Sequence, residues 1–139
     1  SDTPGGTSSN STVHTRTLNT VVENTITGAS LSSNQVTLPI GTYRIIAYAP
    51  GRSARNKCWL YNVTAGTNAV IGLSLYTDTS VTLPGIVIGR FTITTQSVFE
   101  LKQYIQTTNA DQGLGVNTGT MAGSTMVEVY ASLEIYKER

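Results

Sequence analysis

The chain has 139 residues, of which 12% carry a formal charge, and its formal net charge is +1. That length encloses a single hydrophobic core and one domain, and the near-neutral balance argues against a nucleic-acid partner, because a phosphate backbone demands a basic excess. No run of about eighteen apolar residues is present, which argues against insertion of a helix into a membrane. The first residues, SDTPGGTSSNST, are small, polar and broken by glycine and proline. They are expected to form a flexible N-terminal arm, or to mark a cut point, over residues 1–11, followed by one domain over 12–139.

The expected strands then follow in order: LPIGTYRIIAYAP (38–50), KCWLYNVT (57–64), AVIGLSLYT (69–77), GIVIGRFTIT (85–94), SVFELKQYIQTT (97–108) and STMVEVYASLEIYKER (124–139). Each alternates apolar and polar residues with period two and is rich in Val, Ile, Thr and aromatics, which suits a half-buried pleated strand and no helix. The chain therefore reads as all-β, a sandwich or a barrel. Loops are expected at 50–57, 77–84 and 108–124.

Alternation also assigns faces. Tyr43, Ile45, Ala47 and Ala49, with Val87, Phe91 and Ile93, and with Val127, Val129, Ala131, Leu133 and Ile135, form the expected core faces. The opposite faces should be polar if they met water, yet they carry Ile46, Tyr48, Ile88, Tyr130 and Tyr136. Such a face is economically explained by a covering partner, with Arg44 and Arg90 expected to pair with Glu128 and Glu134.

No catalytic constellation is evident, and no enzyme activity, cofactor or metal is expected. Cys58 is the one cysteine and reads as a small buried hydrophobe. His14 is the one histidine and lies on another expected strand, so neither a thiol–imidazole dyad nor a zinc site recommends itself. The acids are scattered, which argues against a paired-carboxylate glycosidase. DQGLGVNTGTMAGS (111–124) lacks the Lys-Ser/Thr ending of a phosphate loop.

The order LPIGTYRIIAYAP, KCWLYNVT, GRFTIT with SVFELKQYIQTT, and the closing VEVYASLEIYKE resembles the globular domains at the distal ends of bacteriophage tail fibres. In outline it is similar to the tumour necrosis factor and complement-head jelly rolls. The resemblance covers residues 12–138. It implies a jelly-roll β-sandwich of about ten antiparallel strands, assembled as a homotrimer whose inner sheet contains the 42–49, 86–94 and 126–137 segments. Ile46, Tyr48, Ile88, Tyr130 and Tyr136 would then line the trimer interface.

The same resemblance implies a non-enzymatic head at a fibre tip on a virion, or an extracellular one. It would be joined to an upstream fibre shaft and bind a bacterial cell-surface polysaccharide or lipopolysaccharide. Sugar recognition needs planar amide, carboxylate and guanidinium groups on exposed loops. The candidates are Arg52, Arg55 and Asn56 in the 50–57 segment and Asn109, Asp111, Gln112 and Asn117 in the 108–124 segment, with Asp78 at 77–84 and the Trp59–Tyr61 pair as a stacking surface. The alternatives are a structural trimerisation cap that touches no receptor, and a secreted trimeric signalling-type ligand.

Overall fold

The structure is a computed structural model that describes residues 3–119 and 127–139. Among the described residues it is all-β, with seven strands paired antiparallel: β1 (Thr12–Thr15), β2 (Ser30–Ser32), β3 (Gln35–Leu38), β4 (Gly41–Asn62), β5 (Thr67–Ile93), β6 (Ser97–Ile105) and β7 (Ser132–Lys137). The sheet runs β2-β3-β6-β4-β5, with β1 added to the second edge of β6 and β7 to β4.

Among the described residues seven strands stand where about ten were expected, and two pairs of the expected short segments are each one long strand. The expected 38–50 and 57–64 strands merge into β4, and 69–77 and 85–94 merge into β5. The segments 50–57 and 77–84 are therefore not loops. Pro50, Gly51, Pro84 and Gly85 look like breakers, yet Pro50 stands opposite Pro84 and Gly51 opposite Leu83 inside the ladder. The hairpin bends at this point and stays paired. Pairing slips between Arg52 and Ala54, where Ser53 (φ 79°) and Ala54 (φ 58°) adopt left-handed dihedrals, so a bulge absorbs the change of direction.

The bend folds the sheet onto itself. One layer holds the first half of β4 between the second half of β5 and β7, and the other holds the second half of β4 between the first half of β5 and β6. The layers approach closely along the β5 edge. A Cβ on Gly85 would collide with Cys58 Sγ, and one on Gly89 with the Val70 side chain, so glycine is what admits this contact. Tyr43, Ile45, Ala47, Ala49 and Val87 from one layer meet Cys58, Leu60, Phe99 and Leu101 from the other. Phe91 links the layers, its ring centroid 5.6 Å from that of Tyr43 and 5.0 Å from that of Phe99.

The 42–49, 86–94 and 126–137 segments were expected to share a sheet, and their strand portions do lie side by side as β7-β4-β5. The last of them is shorter than expected. Met126 is outside the described residues, and 127–131 precede β7 as irregular chain, so Val127 (78% exposed) and Val129 (67%) face away from the core that their alternation suggested.

Candidate recognition surface

The β4–β5 bend gathers the polar residues that the sequence had scattered. Arg52 is half-buried beside the bulge and ties three segments together. Its backbone N–H donates to Gly113 O (3.0 Å), its Nε to Thr79 O (2.6 Å), and its Nη1 to the Gln112 side-chain oxygen. Asn109 donates from Nδ2 to the hydroxyl of Ser53, the first residue of the bulge (3.0 Å). The strained turn and the 108–119 segment are thus one unit.

The N-terminal segment completes that unit. Ser8 and Asn109 form a β-bridge, Gly6 N–H donates to Asp111 O (2.8 Å), Gly5 N–H to Gly115 O (2.9 Å), and Asp111 N–H to the Thr7 hydroxyl (2.9 Å). Within the expected flexible arm, residues 5–8 therefore lie along the 109–115 segment, Ser11 N–H donates to Gln106 O (2.9 Å), and Ser8 is fully buried. Sequence periodicity gave no sign of this pairing, because the strand signal needs apolar alternation and these residues are Gly, Thr and Ser. Asp111 itself is exposed with φ 60°, a dihedral that Asp tolerates better than most residues.

Across the bend, Asp78 accepts from the Thr79 hydroxyl (3.0 Å) and the Ser80 N–H (3.3 Å). These bonds, the Thr79 hydroxyl first, hold its carboxyl below the ordinary carboxylate range. The bend end thus presents a guanidinium, two amides and two carboxylates.

The remaining candidates are distributed elsewhere. Arg55 is exposed on the outer face, opposite Tyr76 in the ladder, and Tyr76 is 73% exposed. Asn56 is a correction: it is 2% exposed and points between the layers, because strand alternation continues through the bend and places it inward. Asn117 is half-buried, next to Thr118, whose N–H and hydroxyl both donate to Glu128 Oε1 (2.9 and 2.7 Å). Residues 120–124 of the expected loop lie outside the described residues.

Trp59 and Tyr61 are half-buried on the outer face of the β4–β6 layer, with Lys102 Nζ 5.8 Å from the Tyr61 ring centroid. Lys102 also pairs with Glu100 and donates to the Thr15 hydroxyl (2.7 Å). Burial alone would raise the Glu100 carboxyl, but hydrogen bonds from Gln35 and Lys102, with the charge of Lys102, hold it below its usual range.

The face expected to meet a partner is present on the β7-β4-β5 layer. Ile46 stands between Glu134 and Ile88, Tyr48 between Ser132 and Ile86, and Arg44 between Tyr136 and Arg90. Ile88 is 61% exposed, Tyr136 54% and Tyr48 41%. Tyr130 does not belong with them. It lies before β7, its ring against Gly115 and its hydroxyl donating to Thr3 O (2.7 Å). The charge pairing also differs from expectation. Arg90 binds Glu138 through Nε (2.8 and 2.9 Å), Glu134 accepts the Tyr136 hydroxyl (2.7 Å), and Glu128 is turned to Thr118.

Cys58 is fully buried, and burial pushes its thiol up to about 12 despite the opposing charge of Arg16, so it is not a nucleophile near neutrality. No group of three or more His, Cys, Asp or Glu side chains able to hold a metal ion occurs among the described residues. No family model matches this chain, and no curated protein sequence matches it.

Proposed function

We propose that this domain is the non-enzymatic receptor-binding head of a phage tail fibre or related particle, a jelly-roll-type trimer that recognises a bacterial surface glycan from a fibre tip. The observation that carries the reading is the bend itself. Two consecutive non-glycine residues, Ser53 and Ala54, hold left-handed dihedrals where Arg52, Asn109, Asp111 and Gln112 converge. Backbone strain of that kind persists where surrounding contacts enforce it, and it clusters at binding sites. Planar amides, a guanidinium and carboxylates on one rigid end supply the hydrogen-bonding groups that sugar hydroxyls require.

The apolar outer face of β7-β4-β5 supports the trimer. Arg44 lies directly opposite Arg90, and like charges so placed are unfavourable. Glu134 and Glu138 share the face, so it is balanced in charge and suited to meeting its own copies. Three heads on one particle multiply a weak single-site affinity.

The test is glycan-array and whole-cell binding run beside light scattering, on the wild type, Asp111→Asn and Ile88→Glu. The wild type is expected to have the mass of three chains and to bind one envelope glycan class saturably. Asp111→Asn keeps the left-handed dihedral accessible and is expected to weaken binding by about tenfold, the worth of one charge-assisted hydrogen bond, with mass unchanged. Ile88→Glu is expected to dissociate the assembly. Clean trimers that bind nothing would sink receptor recognition, and a wild-type mass of one chain would sink the trimer.

A further inference from the structure

Five buried side-chain polar atoms lack a hydrogen-bond partner among the described residues, and all five belong to three side chains: Arg16 Nε and Nη1, Asn56 Nδ2 and Oδ1, and Gln103 Oε1. The three residues are 3%, 2% and 0% exposed. They lie together. A Cβ built on Gly51 would be 2.6 Å from Gln103 Nε2 and 3.3 Å from Asn56 Oδ1, so both amides border one point. Gln103 stands in register between His14 and Cys58, and the Arg16 charge reaches both of those neighbours, adding to burial in lowering the imidazole and opposing the burial-driven rise of the thiol.

The charge is what the surrounding protein leaves unanswered. Arg16 Nη2 donates to Leu114 O (2.6 Å) and Tyr130 O (2.5 Å), but the ion pairs among the described residues are Arg90–Glu138 and Lys102–Glu100, and neither involves Arg16. His14 and Cys58, the titratable groups beside it, supply no anion near neutrality: one is at most cationic and the other a thiol. A buried guanidinium with two idle nitrogens and no carboxylate carries a desolvation cost that carbonyl dipoles offset only in part. Buried polar clusters of this sort are completed by ordered guests.

We propose that the buried end of Arg16 is a halide site, holding chloride bound by Arg16 Nε–H and Nη1–H and by the Asn56 amide. A water would satisfy these donors without meeting the charge, and the excess of N–H donors over the two idle carbonyl oxygens favours an acceptor with no hydrogens. The ion steadies the guanidinium that anchors Leu114 and Tyr130, and so fixes the 111–115 segment from below. This inference is independent of what the bend binds.

Thermal unfolding should be followed in chloride against gluconate at constant ionic strength, for the wild type and Arg16→Met. A site that is saturable in the native state is expected to raise the wild-type midpoint by about 5 °C per tenfold chloride above its dissociation constant, with no dependence in Arg16→Met. Equal chloride dependence in both proteins, or none in either, overturns the proposal. Should Arg16→Met fail to fold, wild-type crystals grown in bromide decide the matter. An anomalous peak within hydrogen-bond reach of Arg16 Nη1 supports the site, and a water or nothing there overturns it.

Discussion

The two halves of β4 are equally buried and chemically opposite. The inward residues of the first half, Tyr43, Ile45, Ala47 and Ala49, are at most 1% exposed, and those of the second half, Asn56, Cys58, Leu60 and Asn62, at most 6%. One half offers only hydrocarbon and an aromatic ring, while the other alternates amides with a thiol and a leucine. Position in the bent hairpin sets burial, and polarity then decides what the buried site must supply. Asn62 is answered locally, its side-chain oxygen accepting the Ala65 N–H (2.9 Å) in the hairpin turn. Asn56 is answered by nothing among the described residues.

Deleting atoms from the apolar half should cost most. Ile45→Ala removes a core side chain that is 1% exposed and is expected to lose about 2–5 kcal/mol of unfolding free energy in urea. A loss below about 1 kcal/mol would mean that the two layers do not pack as described. Asn56→Leu is the matching test in the polar half. If the interior holds a polar guest, this swap removes a donor and is expected to cost about 1–3 kcal/mol. A stabilised variant would show instead that the amide is simply an unmet cost and that the polar half tolerates hydrocarbon.

The contrast also explains what could be read from sequence. Tyr43, Ile45, Ala47 and Ala49 are legible as an inward face because alternation and hydrophobicity agree. The same rule continues unbroken to Asn56, but Pro50 and Gly51 look like a turn, and Arg52, Arg55, Asn56 and Lys57 look like a solvated loop. A bulge at Ser53–Ala54 needs no glycine signature here, so nothing local distinguishes a bent strand from a broken one. Arg52, Asn109, Asp111 and Gln112 were identifiable by residue type, whereas their convergence depends on pairing between residues 5–8 and 109–115, which is long-range and carried by backbone atoms. Tyr130 was misplaced for the converse reason, since alternation extended the last strand past its start at Ser132.

Titration probes the polar half directly. Burial raises the Cys58 thiol to about 12 and lowers Arg16 to about 10. The unfolded thiol releases its proton near its ordinary value of 9.0 while the folded one keeps it, so the thiol's contribution is fully present below pH 9 and is lost as pH rises toward 12. The depressed Arg16 acts oppositely, adding stability only above pH 10 as the folded guanidinium neutralises first. Between pH 9 and 10 Arg16 has yet to contribute and the thiol leads, with the burial-raised Tyr43 hydroxyl adding in the same direction, and the thiol's share is expected to lower stability by up to about 1.4 kcal/mol per unit. Cys58→Ala should flatten that interval relative to the wild type. An unchanged slope would show that Cys58 is not buried as a neutral thiol.

The smallest expected effect lies at the boundary between the halves. Ala54 has φ 58° with no side-chain hydrogen bond to offset it, and an L-residue in that region carries about 1–2 kcal/mol of steric cost. Ala54→Gly removes the cost but widens the unfolded ensemble, so the net gain is expected to be about 0.5–1 kcal/mol, read as a small rise in the unfolding midpoint. The value of this variant is that it separates strain from contacts. The hydrogen bonds of Arg52 and Asn109 to the bend come from neighbouring residues and survive the change. If relaxation at Ala54 leaves ligand binding intact while stability rises, the strain is a by-product of bending one long hairpin into two layers. If stability rises and binding weakens, the strained bulge holds the polar cluster in its binding geometry, and the bend was selected for recognition at the expense of stability.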